Sequence, residues 1–384
     1  MLILPPLSLY IHIPWCVQKC PYCDFNSHTL KADMPESDYV AALLEDLRQD
    51  LPLVQGRMLH SIFIGGGTPS LFSAKAIKDI LMGVEQLIPF SDDIEITLEA
   101  NPGTVEAGRF AGFKAAGVTR ISIGIQSFQA EKLQRLGRIH DPQQARFAAE
   151  EAATVGLTTF NVDLMHGLPD QSLSDALSDL SQAIALSPPH LSWYQLTIEP
   201  NTPFASRPPA LPEDETLADI YEQGHELLLA NGYEHYEVSA YAKPGHQARH
   251  NLNYWRFGDY LGIGCGAHGK ITLPLENKLI RTVKVKHPKG YLDSDRAYLD
   301  QYWAIAPQDL SLEYFMNRLR LFEPIPQAEF SELTGLTKTS LQAPLAEALR
   351  LELLADTGSH WQVTPLGRRF LNRLLDLFID DEYG

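Results

Sequence analysis

The sequence predicts an α/β protein: a (β/α)6 partial TIM-type barrel followed by a mainly helical, winged-helix-like C-terminal domain. Three observations carry that expectation. From Leu7 to about Thr197, short β-rich runs alternate with amphipathic helical stretches, and six such units in series require a parallel sheet that crossovers of one hand will curl. From about Leu310 the pattern turns helical, with a short hairpin near 358–363 and a last helix over 366–378. The 384 residues also exceed one ordinary compact domain.

The strand candidates are 7–13, 61–64, 94–99, 120–125, 159–164 and 190–196, rich in Ile, Leu, Val, Phe and Thr and mostly closed by Gly, Pro or polar residues. Between them, Ser37 can cap a helix running through Asp50. Ser73 can cap the next, whose Ile77, Ile80, Leu81, Val84 and Leu87 fall on one face. Asp141-Pro142 supplies an N-cap followed by proline at the first helical position, with Gly156 as the stop. A helix over 213–231 leads into a less regular region with one strand at 236–241, a Gly-rich turn at Gly262, Gly264, Gly266 and Gly269, and strand-like runs in 270–286. The expected division is a barrel over 1–235, an irregular extension over 236–300 and a helical domain over 301–384.

Composition is that of a globular protein, 45% hydrophobic and 21% charged, with a formal net charge of -17. Such an acidic surface repels phosphate backbones and anionic headgroups, which speaks against nucleic-acid and membrane partners. The apolar stretch from Met1 to Trp15 has no basic flank, contains Pro5, Pro6 and Pro14, and carries His12, so it reads as a buried first strand and not as a leader. No later run is long enough to span a bilayer, and a cytoplasmic location follows as the expectation.

Of the four cysteines, Cys16, Cys20 and Cys23 fall within eight residues and Cys265 lies far away. In a reducing compartment that pattern argues for metal ligation over disulfides. The spacing C-x-x-x-C-x-x-C directly after the first strand lets three thiolates hold three irons of a 4Fe–4S cubane and leave the fourth without a protein ligand. The amino and carboxylate groups of S-adenosylmethionine can chelate that open iron. Zinc, which usually takes four ligands, and three unconnected structural thiols remain the alternatives.

Every further polar motif falls at a strand end, where βα folds collect their chemistry. Gly65-Gly66-Gly67-Thr68-Pro69-Ser70 follows the second strand and opens its backbone to a ligand; ordinary turn chemistry is the plain alternative. Glu99 ends the third strand and precedes Asn101-Pro102-Gly103. Gln126 ends the fourth, Arg138 follows in the next loop, and Asp163 closes the fifth ahead of Met165-His166-Gly167-Leu168-Pro169. Singly these could be loop polarity. Together they read as a ring around one cofactor, with His12 and His166 close behind it.

In this order YIHIPWC, the cysteine spacing, GGGTPS, LEANPGT, SIGIQSF, LGRIH and DLMHGLP resemble the oxygen-independent coproporphyrinogen III oxidase family of radical SAM proteins over nearly the whole chain. The resemblance implies that Tyr10, Gly66 and Glu99 contact the cluster-bound S-adenosylmethionine. It also implies that Tyr22, Gly67, Thr68, Gln126, Arg138, Asp163 and Thr197 match a second such site. One departure matters: the oxidases carry a fourth cysteine two residues after the third, where this chain has Phe25. With His250-Asn-Leu-Asn-Tyr254-Trp255, an H-N-x-x-Y-W motif, this resembles the heme-chaperone branch of the family. That branch implies a protein that binds heme and passes it to acceptor haemoproteins such as respiratory-chain components, without oxidising coproporphyrinogen.

A heme site needs an axial ligand, flat apolar walls and often cations for the propionates. Region 249–270 offers His250, Cys265 and His268 as ligands, Tyr254 and Trp255 as walls, and Arg249, Arg256 and Lys270 as cations. Each could equally be a structural residue. Three functions therefore compete: a heme chaperone on a radical SAM scaffold, a porphyrinogen oxidase, and a radical SAM RNA-modifying enzyme, the last disfavoured by charge. The oligomeric state is left open, a homodimer being one arrangement.

Overall fold

The computed structural model describes residues 2–31, 33–104 and 109–379. Six parallel strands, β1 (Leu7–Ile13), β2 (Leu59–Gly66), β3 (Phe90–Ala100), β4 (Arg120–Gln126), β5 (Thr159–His166) and β6 (His190–Gln195), form the middle of a twelve-stranded sheet. Each expected run is present. Several extend beyond their apolar residues because pairing with neighbouring strands continues into the polar ends. The crossovers are α1 (Glu36–Asp50), α2 (Ala74–Leu87), α3 (Arg109–Ala115), α4 (Pro142–Thr154) and α5 (Leu173–Ala185).

Capping follows the sequence in two of three places. Ser73 Oγ accepts from Ala76 N–H at 3.1 Å, and Asp141 forms a capping box with Gln144. Ser37 does not cap α1: the helix starts one residue earlier at Glu36, with Pro35 in the cap position and no side-chain cap bond.

Strand alternation puts Leu9, Ile11, Ile62, Ile64, Ile121 and Ile123 into the apolar layer under the helices. The opposite face is polar, and its groups satisfy one another: Ser8 Oγ meets Ser61 Oγ at 2.7 Å, and Ser122 Oγ donates to Asp163 at 3.0 Å. The barrel therefore has a dry shell and a polar interior.

After α6 (Asp214–Ala230), the strand expected at 236–241 is a hairpin, β7 (Glu234–Glu237) and β8 (Ala240–Ala242), with β8 antiparallel to β6. The reversal lets Ser239 O accept from Trp193 N–H at 2.8 Å, a tertiary bond that local sequence does not announce. Helix α7 (Arg249–Trp255) follows. The chain then returns to the far edge, where β9 (Asp259–Gly264) lies parallel to β1 and leads an antiparallel meander, β10 (His268–Leu273), β11 (Lys278–Lys284) and β12 (Leu299–Ala304). The C-terminal part contains α8 (Leu310–Arg318), α9 (Gln327–Thr334), α10 (Gln342–Arg350) and a small sheet, β13 (Ile325–Pro326), β14 (Leu354–Asp356) and β15 (His360–Val363), in the order β13-β15-β14. The last helix is broken at Phe370 into α11 (Pro365–Arg369) and α12 (Leu371–Asp376). Phe315, Phe330, Trp361 and Phe378 centre a second core that also takes Leu2, Phe257 and Leu279 from the barrel side. No helix among the described residues is long and apolar enough to cross a membrane.

Candidate functional site

The three cysteines leave β1 on a loop that the fold straps down tightly. Trp15–Cys16 pairs with His28–Thr29, and Cys23 N–H donates to Cys20 O at 3.2 Å. Asn26 Nδ2 donates to Cys265 O and Lys286 O, both at 2.9 Å, tying the loop to the β9–β10 turn and the end of β11. All three thiols line one cavity of about 300 Å³ at the C-terminal ends of the barrel strands. Burial raises the Cys16 and Cys23 thiols, with the Thr68 hydroxyl opposing it at Cys16; a bound metal reverses that logic and deprotonates a coordinating thiol. Among the described residues no three His, Cys, Asp or Glu side chains converge on a point, as a single metal ion requires.

The glycines form the cavity's second wall. Gly67 N–H donates to Ile13 O at 2.7 Å, and a Cβ there would meet Trp15 O at 2.5 Å. Gly66 has φ +112°, and its Cβ would strike the His12 ring at 2.4 Å. The triplet is thus built for close backbone approach. His12 supports it from behind: Nε2 donates to Asn26 O at 2.8 Å, so Nδ1 accepts from Tyr10 O–H at 2.9 Å.

Opposite the glycines, Glu99 Oε2 accepts from Gly66 N–H at 3.1 Å. Burial, reinforced by the charge of Asp163, pushes the Glu99 carboxyl up to about 7. Burial likewise raises Asp163, against hydrogen bonds from Ser192, Asn161 and Ser122. Arg138 closes the ring: Nη1 reaches Tyr22 Oη at 3.4 Å and Cys20 Sγ at 3.7 Å, and Nη2 donates to Asn101 Oδ1 and, at 2.6 Å, to Gly124 O. Gln126, at φ +70°, accepts from Tyr194 O–H at 2.9 Å. The cavity therefore presents three thiols, one of them beside the Arg138 guanidinium, together with two carboxyl groups and open glycine backbone.

Of the residues expected at this site, Cys16, Cys20, Cys23, Tyr22, Gly66, Gly67, Thr68, Glu99, Gln126, Arg138 and Asp163 all line the cavity. Thr197 does not; it is exposed and donates to Glu199 at 2.6 Å. His166 is packed on Trp193, ring centroids 4.4 Å apart, away from the cavity. Ser122 and Tyr194 line it unforeseen. A period-2 reading of Ser122-Gly124-Gln126 and Ser192-Tyr194 would have found them, since each set shares one strand face.

A second, larger cavity of about 880 Å³ adjoins the first and shares Lys19, Phe25, Ser27, Gly66 and Glu99 with it. Tyr10, Tyr254, Trp255 and Tyr260 give it aromatic walls, and His12, His28, His268, Lys19 and Lys286 also face it. The H-N-x-x-Y-W motif divides here. Tyr254 and Trp255 reach the cavity, whereas His250 is 1% exposed and lies inside the barrel. Its Nδ1 meets Ser61 Oγ at 2.9 Å, Phe63 and Tyr254 cover its ring, and Nε2 has no partner among the described residues. Burial lowers its pKa to about 3. Ser61 lies four strand positions before Gly65 on β2, so His250 sits roughly 13 Å down the strands from the glycine wall. Glu95 holds it there by accepting from Arg249 N–H at 3.1 Å and His250 N–H at 3.0 Å.

The other expected heme groups separate as well. Arg249 pairs with Asp93, Arg256 with Glu323 and the buried Lys270 with Asp259, and none lines the larger cavity. Cys265 is fully buried and donates to Lys286 O at 2.7 Å.

Comparison with known proteins finds relatives along nearly the whole chain. Residues 10–181 match the Radical SAM superfamily and residues 305–370 the HemN C-terminal domain. The heme chaperone HemW of Escherichia coli is 59% identical, covering 99% of this chain and 100% of that protein. The heme chaperone HemW of Haemophilus influenzae is 58% identical over 99% of both chains, and that of Bacillus subtilis 32% identical over 97% and 99%. Among solved structures, the coproporphyrinogen III oxidase HemN of Escherichia coli, a radical SAM enzyme, superposes with a TM-score of 0.83 at 23% identity, covering 98% of this chain and 91% of that one.

Proposed function

The chain belongs to the HemW family of HemN-like radical SAM proteins, and from that premise we propose that it is a cytosolic heme chaperone that binds heme and passes it to acceptor haemoproteins, respiratory-chain components among them. The observation that carries this reading is the pair of adjoining cavities. One holds three thiols among polar groups, the other is large and aromatic, and they meet at Phe25.

In the smaller cavity Cys16, Cys20 and Cys23 hold a 4Fe–4S cluster, and the donor set fits: three thiols on one strapped loop with open space beyond them. Bound there with S-adenosylmethionine, the cluster supplies one-electron chemistry toward a sulfonium. The protein's own groups bind and orient. Gly66 and Glu99 line the cavity with the three thiols, Glu99 as the acceptor for an amine, and Tyr10 approaches the ligand from the adjoining cavity. Tyr22, Gly67, Thr68, Gln126, Arg138 and Asp163 enclose the far end, where Arg138 suits a carboxylate. Thr197 joins them only if its loop moves inward from its Glu199 bond. Desolvation raises both carboxyls even though Arg120 opposes it at each, so a cationic ligand beside them is favourable, and S-adenosylmethionine is one.

The larger cavity has the volume of a small-molecule site, within the usual range of about 300–1,000 Å³, and aromatic walls suited to a macrocycle. His250 lies directly beneath Tyr254, and its unpartnered Nε2 supports it as an iron ligand in a state where Tyr254 has swung aside. Phe25 stands where the oxidases keep a cysteine, which disfavours coproporphyrinogen oxidation.

The test is anaerobic reconstitution followed by iron and sulfide analysis, hemin titration and transfer to an apo-haemoprotein. Stoichiometric binding and transfer are expected. Failure to bind hemin overturns the chaperone reading, and formation of protoporphyrinogen from coproporphyrinogen favours the oxidase instead.

A further inference from the structure

Three imidazoles face the larger cavity: His12, His28 and His268. Two are committed. His12 uses both ring nitrogens, on Tyr10 and Asn26. His28 Nε2 contacts Asn26 Oδ1 at 3.3 Å, and its ring packs against His287 at 5.3 Å. His268 is exposed to the cavity and makes no side-chain hydrogen bond among the described residues.

Its backbone is nonetheless fixed. His268 opens β10 opposite Val283 of β11, and Gly262 of β9 admits it so closely that a Cβ on Gly262 would meet His268 O at 2.0 Å. The neighbouring Ala267 O accepts from Lys284 N–H at 2.8 Å. The result is an uncommitted imidazole on a rigid strand end, aimed into a cavity walled by Tyr10, Tyr254 and Phe25. Burial, followed by the charges of Lys286 and Arg281, lowers the His268 pKa. That favours the neutral ring a metal requires. Lys286, exposed on the same rim, is placed to meet an anionic substituent, while Asp24 and Glu99 are the acidic groups lining the cavity.

Resting on the heme-carrier reading above, we propose that His268 is an iron ligand of heme seated in the larger cavity, with Lys286 anchoring a propionate. His250 can reach iron only after Tyr254 moves; His268 needs no rearrangement. A single ligand at an open cavity also leaves a face from which heme can depart to an acceptor, as a carrier requires.

The test uses the cluster-reconstituted full chain and hemin, comparing the unmodified protein with His268→Ala, His268→Gln and Lys286→Ala. Expected for both His268 variants is a shifted Soret band and spin state with affinity at least about tenfold weaker, and free imidazole should restore the spectrum of His268→Ala. Lys286→Ala should weaken binding several-fold with an unchanged spectrum. A parental spectrum and affinity in both His268 variants overturns the assignment. If the unmodified protein binds no hemin, the heme-carrier reading itself falls, an outcome separate from failure of the ligand alone.

Discussion

Glu99→Gln tests the electrostatics of the smaller cavity. Glu99 is enclosed by protein beside Asp163, and its carboxyl rises from the ordinary 4.5 to about 7. An acid whose pKa is higher folded than unfolded binds more protons in the folded state, so its ionisation subtracts stability as pH rises through that window. The full rise corresponds to about 3 kcal/mol, and water in the cavity screens part of it, leaving about 1–3 kcal/mol. Glutamine keeps the oxygen that accepts from Gly66 N–H and removes the charge. The cluster-free variant should therefore match the parent below pH 4.5, gain on it between pH 4.5 and 7, and stay more stable by about 1–3 kcal/mol above pH 7. Urea unfolding followed by fluorescence from pH 4.5 to 8.5 reads the difference. On the proposed role of Glu99, the same variant should bind S-adenosylmethionine more weakly, since the charge removed is the one offered to the ligand's amine. Parallel stability curves at every pH, or a variant less stable than the parent at pH 8, would refute the reasoning.

Other consequences are simpler. Cys16→Ala, Cys20→Ala or Cys23→Ala should each lose most bound iron and sulfide after reconstitution, while Cys265→Ala keeps them, because Cys265 is buried beneath the loop and bonded to Lys286 O; elemental analysis decides. Gly67→Ala places a Cβ 2.5 Å from Trp15 O, so the loop must shift at a cost of about 1–3 kcal/mol, visible as a lower melting temperature together with reduced cluster content. Lys270→Met removes the partner that sits 3.1 Å from the buried Asp259 carboxylate and leaves it only Arg57 and Thr272. A loss of about 2–4 kcal/mol in chemical denaturation is expected, with hemin affinity unchanged.

Local patterns failed where a distant partner decided the outcome. The 236–241 run has the composition of one strand, yet β8 turns back to pair with β6, a contact made across more than forty residues. The apolar stripe at 366–378 suggests one helix, but Gly367 sits against Leu353, where even a Cβ would meet Leu353 O at 2.0 Å, and the chain kinks at Phe370 to continue. His250 is the clearest case: its motif marks it, but only the docking of α7 onto Glu95 shows that it lies inside the barrel, beneath the cavity that its neighbours Tyr254 and Trp255 line.

The six βα units, the cysteine loop, the glycine turn and the carboxylates at the strand ends were legible in the amino-acid order. Each of these depends on periodicity and spacing within a few residues, which the chain carries locally. Tertiary structure alone decided that β9 closes on β1, that Lys270, Arg249 and Arg256 are spent on ion pairs, and that a second cavity opens between the cysteine loop and the β9–β11 meander. Those features join residues as far as 260 positions apart, such as Asn26 and Lys286. Their energy comes from burial and pairing that exist only once both partners are in place, so no local pattern can encode them.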